Sequence, residues 1–293
     1  MKTPSTLPPL PPGACDCHTH VLLDGGAFPF SFSRRYTPPP ASIEALSELH
    51  AGLGIQRVVI VQPSVYGFDN SATLHALRIL GSRRARGIAV IDENAPDAML
   101  DEMASAGVRG VRVNLEIDKQ GDTAKASDHM RRIADRVAPW GWHVQVYASL
   151  PLLSGCNDAI RSLPVPVVFD HYAGAHASRA ASQKGLDAVL ALVEGGKAYV
   201  KLSAPYRCSD SLDYADLAPL ARRFIQSNPD RMLWGSDWPH PQPGVMPAPT
   251  DVCPPFDVDS GHVLGQLRQW SLDDSTLHKI LVDNPKRLYG FGD

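Results

Sequence analysis

The sequence predicts a single (β/α)8 barrel, and three observations lead there. Eight short runs rich in Val and Ile recur along the chain. Their apolarity is continuous rather than alternating, as in strands buried on both faces of a parallel sheet. Helix-like segments with apolar spacing near 3.6 fall between them, and 293 residues suit one such barrel. A doubly wound open sheet is the rival, but no Gly-x-Gly-x-x-Gly follows any of the runs.

In chain order the first half gives ACDCH at 14–18, RVVIVQ at 57–62, RGIAVID at 86–92 and VRGVRVN at 108–114. The second half gives HVQVY at 143–147, VPVVFDH at 165–171, AYVKLS at 198–203 and RMLWGSDW at 231–238. Among the helices, 70–84 opens on Asn70 and Ser71 as candidate caps and closes on arginines that suit the helix dipole. The segment 97–107 ends on glycine, and 184–196 and 214–228 keep helical spacing. Outside the repeat lie a loop at 24–41, a proline-rich loop at 239–257 and a terminal helix with its tail at 271–293. Long loops after strands are where a barrel keeps its active site.

Residues 1–13 read as a proline-rich lead-in, and 14–293 as the barrel domain. With 44% hydrophobic and 20% charged residues the chain can bury a large core. Lys and Arg total 28 against 31 Asp and Glu, a net charge of -3. That balance argues against nucleic acid or an anionic membrane as partner. Five scattered cysteines, at 15, 17, 156, 208 and 253, suggest neither a zinc ribbon nor a disulfide framework. The lead-in lacks a signal-peptide core and no run nears 18 apolar residues, so a reducing cytoplasm is the expected compartment.

The polar residues at the strand ends carry the functional signal. They are His18 and His20; Gln62, with Ser64 and Tyr66 beyond; Asp92; Arg112 and Asn114; and Tyr147. Asp170 and His171, Lys201 and Ser203 with Arg207 beyond, and Asp237 complete the set. A lone histidine at a strand end is more often a hydrogen-bonded structural group than a catalyst. His18 and His20, two apart in a strand, share a face, and with the Asp170–His171 pair and the GSDWPH turn they point to a site. His143, at a strand start, faces the barrel bottom, and His50, His75, His129, His262 and His278 sit on helices. Cys15 and Cys17 pack as small apolar groups, and Arg34 and Arg35 divide between solvated charges and a lid.

These residues resemble the amidohydrolase superfamily, in the branch of the 2-pyrone-4,6-dicarboxylate, muconolactone and sugar-acid lactonases. The similarity runs through CDCHTHV, FPFS, VIVQPS, DNSATL, GVRGVRVN, WGSDWPHP and DNPKRLYGF, nearly end to end. It implies Asp237 as general base, acting with His18, His20 and His171. It implies that Tyr36, Ser64, Arg112, Tyr147 and Arg207 line the substrate site. Two departures stand out. The branch carries an arginine soon after the strand 6 histidine, where this chain has HYAGAH at 171–176, and another past strand 4, where it has Lys119. Lost cationic forks favour a lactone with fewer or differently placed anionic groups.

Binuclear members of the superfamily take ligands from strands 4 and 5, where this chain has Arg112 or Asn114 and Tyr147, so two metals are not expected. One divalent ion, zinc or manganese, on His18, His20 and Asp237 with or without His171 is the alternative to a metal-free site, which is the expectation. The expected reaction is hydrolysis of a small anionic lactone. A metal-dependent decarboxylase, a lactone isomerase and a binding protein on a decayed scaffold are the competing readings.

Overall fold

The computed structural model describes residues 9–23, 25–116, 121–179 and 183–292. Strands β1 (Cys15–Thr19), β2 (Arg57–Val61), β3 (Ala85–Ala89) and β4 (Val108–Asn114) are followed by β5 (His143–Tyr147), β6 (Val167–Phe169), β7 (Ala198–Ser203) and β8 (Met232–Gly235). They form one sheet in sequence order, every neighbouring pair parallel. The barrel closes through the stretch just past β8. Asp237 N donates to His18 O at 2.9 Å, His20 N donates to Trp238 O at 2.8 Å, and Thr19 bridges Trp238 in parallel. The closing seam is thus built from the backbones of three expected site residues.

Helices α1 (Ile43–Leu53), α2 (Ser71–Leu80), α3 (Asp97–Ala106) and α4 (Thr123–Val137) follow the first four strands. The short α5 (Leu150–Gly155) and α6 (Asn157–Ser162) follow β5; α7 (Leu186–Glu194) and α8 (Ala218–Ser227) follow β6 and β7. After β8 come α9 (Ser260–Trp270), α10 (Asp274–His278) and α11 (Asn284–Tyr289). The outer core packs helices against strand residues such as Val58, Val111, Val144, Val200 and Trp234. A second cluster fills the lumen, with Cys15, Cys17, Val59, Ile88, Val168 and Leu233 closed from below by Tyr289 and Phe291. His143 lies on the same bottom layer, its ring edge-on to Tyr289 at 5.4 Å.

Several boundaries differ from the sequence reading for physical reasons. Asp92, Asp170, His171 and Asp237 lie beyond their regular strands. His171 and Asp237 hold φ of 48° and 60°, a left-handed backbone no strand residue adopts. Asn70 does not cap α2 with its side chain. It donates to Phe68 O and Val90 O and accepts from Val90 N, while Asp69 Oδ1 accepts from Ser71 N in its place. Helices α1, α4, α5, α6 and α9 were not singled out in the sequence, although Ser42 caps α1 and Gly54 ends it in the left-handed region.

Gly235 shows how tight the seam is. A Cβ there would meet His18 Cβ at 2.5 Å and His18 N at 2.8 Å. Gly235→Ala should therefore cost about 1–3 kcal/mol by overpacking. It should also cut turnover in the folded fraction, because the strand that must yield carries His18. A thermal midpoint and turnover both equal to the parent's would show the seam to be slack.

Candidate active site

The parallel register sets the side chains in layers. Pairing of β4 with β5 puts Arg112 beside Gln145 and Asn114 beside Tyr147. In the lower layer Asp170 accepts from Arg112 Nε at 3.3 Å and from Gln145 Nε2 at 3.1 Å, both through Oδ2. Lys201 donates to Gln145 Oε1 at 2.6 Å and stands 3.7 Å from Asp170 Oδ1. Burial draws the Lys201 ammonium down to a pKa of about 8 against the pull of Asp170. Arg112, Lys201 and their neighbours outweigh burial and hold the Asp170 carboxyl well below its usual range, with His18 the strongest single partner.

Above this layer Asp237 is the hub. Its Oδ1 lies 3.4 Å from His18 Nε2, 3.4 Å from His20 Nε2 and 4.0 Å from His171 Nε2. Its Oδ2 accepts from Tyr206 OH and lies 3.5 Å from Arg207 Nε. Burial opposes the charge on Asp237, but His171, His20, His18 and Arg207 hold the carboxyl far below its ordinary value. Burial takes the His171 pKa down to about 4, so its ring is neutral at pH 7. Burial and then Lys201 push His18 the same way.

His20 Nδ1 lies 2.8 Å from Val61 O. A carbonyl only accepts, so Nδ1 carries the proton, and in the neutral ring Nε2 offers a lone pair toward Asp237. In that form Nε2 has no hydrogen to donate toward a substrate. His20 donates there only as an imidazolium. His171 Nδ1 pairs with Ser203 Oγ at 2.9 Å, and its ring stands edge-on to Tyr147 at 5.0 Å.

Most of the expected residues line one cavity at the strand ends. His20, His171 and Asp237 form its floor, and Arg112, Tyr147 and Arg207 its wall. Tyr36 and Ser64 close it from the loops, with Pro241 and Pro243 opposite. His18 lies directly beneath, in contact with Asp237. Tyr36 is placed because Thr37 is pinned to the loop after β8, donating from Oγ1 to Pro249 O at 2.8 Å and accepting from Cys253 N at 2.7 Å. A larger cavity of about 1370 Å³ lies between α1, α9 and residues 255–262. Of the expected site residues it holds none, so the chemistry belongs to the smaller one.

Other expected residues are used elsewhere. Gln62 ties its own loop, bonding Gly67 O, Asp69 O and Thr73 Oγ1, and Tyr66 OH holds Leu23. Asp92 is exposed and caps Asn94 N. Arg34 bonds Thr37 and Ser31 within its loop, and Arg35 is exposed. Lys201 is fully buried and is not among the residues that line the cavity. Lys119 lies outside the described residues. Tyr206, Gln145 and the partner role of Asp170 were missed. Tyr206 gave no signal, because the turn after Ala204, at φ 49°, decides which side chain of the Pro-Tyr-Arg stretch meets Asp237.

By spacing, His18, His20 and Asp237 could hold one metal ion, since their ligand atoms lie within 4.8 Å of one another. A second set, His18, Asp170 and His171, has the same spacing, but Arg112 and Lys201 already neutralise its carboxylate.

This geometry has relatives. The amidohydrolase family model, Amidohydro_2, matches residues 15–291. The chain belongs to that family. It is 36% identical over 291 residues to a 2-pyrone-4,6-dicarboxylate hydrolase of Comamonas testosteroni, covering 96% of this chain and 91% of that one. It is 32% identical over 285 residues to a 4-sulfomuconolactone hydrolase of Rhizobium radiobacter, with coverage of 96% and 91%. A solved structure from Pseudomonas putida, described as a candidate 2-pyrone-4,6-dicarboxylic acid hydrolase, superposes with a TM-score of 0.81 at 29% identity. That match covers 97% of this chain and 100% of the other. Both of these curated relatives are named as hydrolases. Among the described residues no helix is long and apolar enough to cross a membrane.

Proposed function

We propose that this amidohydrolase hydrolyses a small lactone bearing one anionic group, with Asp237 as general base. The observation that carries the reading is the ionised Asp237 facing a cavity between Arg112 and Arg207. A water seated between Asp237 Oδ1 and the His20 Nε2 lone pair finds two acceptors 3.4 Å apart and donates a hydrogen bond to each. Its oxygen lone pair is left for the lactone carbonyl carbon. Asp237 takes a proton as the new C–O bond forms. His171 and His18 face the negative charge growing on the carbonyl oxygen. When the ring C–O bond breaks, the proton on Asp237 passes to the leaving oxygen and completes the ring-opened acid.

Charge names the substrate class more closely. Arg112, Arg207 and Lys201 stand against Asp170 and Asp237, which leaves a surplus of one positive charge among the described residues. Among the described residues of the stretch just past His171 none brings a cation to the cavity: Tyr172 is buried against Trp270, and His176 turns to Ser178 and Asp210. A singly charged lactone fits this balance better than a dicarboxylate.

A lactone panel read with a pH indicator tests the proposal, since hydrolysis releases acid. Singly charged members should turn over faster than neutral or doubly charged ones. Ring migration without acid would mean an isomerase, and release of carbon dioxide a decarboxylase. Arg207→Met should raise KM for a carboxylated lactone over its ester-capped analogue by about ten- to a hundredfold, the worth of one charge-assisted hydrogen bond. Equal losses on both would make Arg207 a structural partner of Pro241 O, to which it donates at 2.6 Å.

A further inference from the structure

We propose that Tyr206 is a positioning residue for the general base, its hydroxyl holding Oδ2 of Asp237 so that Oδ1 faces the histidines and the water. The two oxygens of Asp237 have separate surroundings. Oδ1 lies 3.4 Å from both His18 Nε2 and His20 Nε2 and 4.0 Å from His171 Nε2. Oδ2 accepts a hydrogen bond from Tyr206 OH and lies 3.5 Å from Arg207 Nε. An ionised carboxylate has no hydrogen to give, so the phenol is the donor.

A carboxylate turns readily about its Cβ–Cγ bond, because that torsion is broad and nearly two-fold. Full exchange of the two oxygens is silent, but any angle between carries the basic oxygen off the water. A charge-assisted hydrogen bond on one oxygen fixes that angle. The ring that carries the hydroxyl is itself braced. It packs on Phe256 with ring centres 4.6 Å apart and stands edge-on to His240 at 5.9 Å. Phe256 N donates to His240 O at 2.9 Å, and His240 N donates to Asp237 O at 2.7 Å. The long loop after β8 thus turns back to brace the tyrosine beside the residue from which it departs. Tyr206 is not among the residues that line the cavity, so it acts through Asp237 and not on a substrate. Only the proton step rests on the hydrolase reading; the orientation of Asp237 stands apart from it.

Tyr206→Phe in the full-length chain removes the hydroxyl and keeps the ring, and two measurements test it. With a lactone that the parent hydrolyses, kcat should fall about ten- to a hundredfold, the worth of one hydrogen bond to a charged group. KM should not change, since the lost interaction serves the reacting water and not substrate binding. A crystal structure of the variant should show the Asp237 carboxylate turned about Cβ–Cγ or spread over several orientations. A merely structural tyrosine would lower the thermal midpoint and leave kcat of the folded fraction intact. An intact kcat, or a carboxylate that keeps the parent's single orientation, overturns the proposal. If Tyr206→Phe does not fold, Phe256→Leu keeps the hydroxyl and loosens the ring beneath it. That variant must then show the fall in kcat at unchanged KM, or the proposal fails. A chain that hydrolyses no lactone would sink the function, and the orientation of Asp237 in the variant would still decide the role of Tyr206.

Discussion

Asp237→Asn lowers turnover by about 10²- to 10⁴-fold, the usual worth of a general base. The amide keeps the volume and the polar partners of the carboxylate but takes no proton from water. The substitution also leaves the seam intact, because the chain closes through the backbone N of Asp237 and not through its side chain. The cost therefore falls on turnover, with KM changing little, and the thermal midpoint checks that the fold survives. Activity within threefold of the parent would remove Asp237 from the chemistry and pass the proton to another group at the cavity.

Acidification from pH 6.5 to pH 5 removes about 3 kcal/mol of stability through two buried histidines. Burial lowers His143 to a pKa of about 3 and His171 to about 4. In the unfolded chain both titrate near 6.5. Below that value the unfolded chain binds protons that the folded chain refuses, so stability falls as pH falls and levels off only below the folded values. Each group's slope grows from about 0.7 kcal/mol per pH unit at pH 6.5, where the unfolded ring is half protonated, toward about 1.4 at pH 5. His18, shifted in the same direction, adds to the loss. Asp170 and Asp237 act lower down. Their depressed values stabilise the fold above the ordinary carboxylate range, and that stability is lost only as pH falls through the folded values. Against a total of about 5–15 kcal/mol the loss is large. Urea unfolding at both pH values measures it, and equal stabilities at the two would contradict the neutral burial of His143 and His171.

The barrel was legible because strands buried on both faces need continuous Val and Ile, and few other architectures repeat that eight times. The strand ends were less so. His171 and Asp237 read as strand residues, but their positive φ takes them off the strands and over the mouth. Depth was illegible as well. Lys201 and Ser203 sit two apart on one strand and share a face, and sequence does not say which layer meets substrate. The register does: Ser203 pairs level with Gly235 and His171, while Lys201 pairs with Leu233 one layer down. Tyr206 was beyond reach for another reason. Its contact with Asp237 joins two loops 31 residues apart, and no periodicity encodes that meeting.

The closing seam has a consequence for how the enzyme comes into being. His18 and His20 leave the ribosome early, and Asp237 more than two hundred residues later. Joining them closes the longest loop of the sheet, and contacts so distant in sequence form slowly because the chain entropy is lost before the contact rewards it. Catalytic competence is therefore among the last properties acquired during synthesis or refolding. Partly folded barrels that have not yet joined β1 to the stretch past β8 hold the histidines without the acid. Recovery of activity after dilution from urea should accordingly lag the recovery of helical circular dichroism.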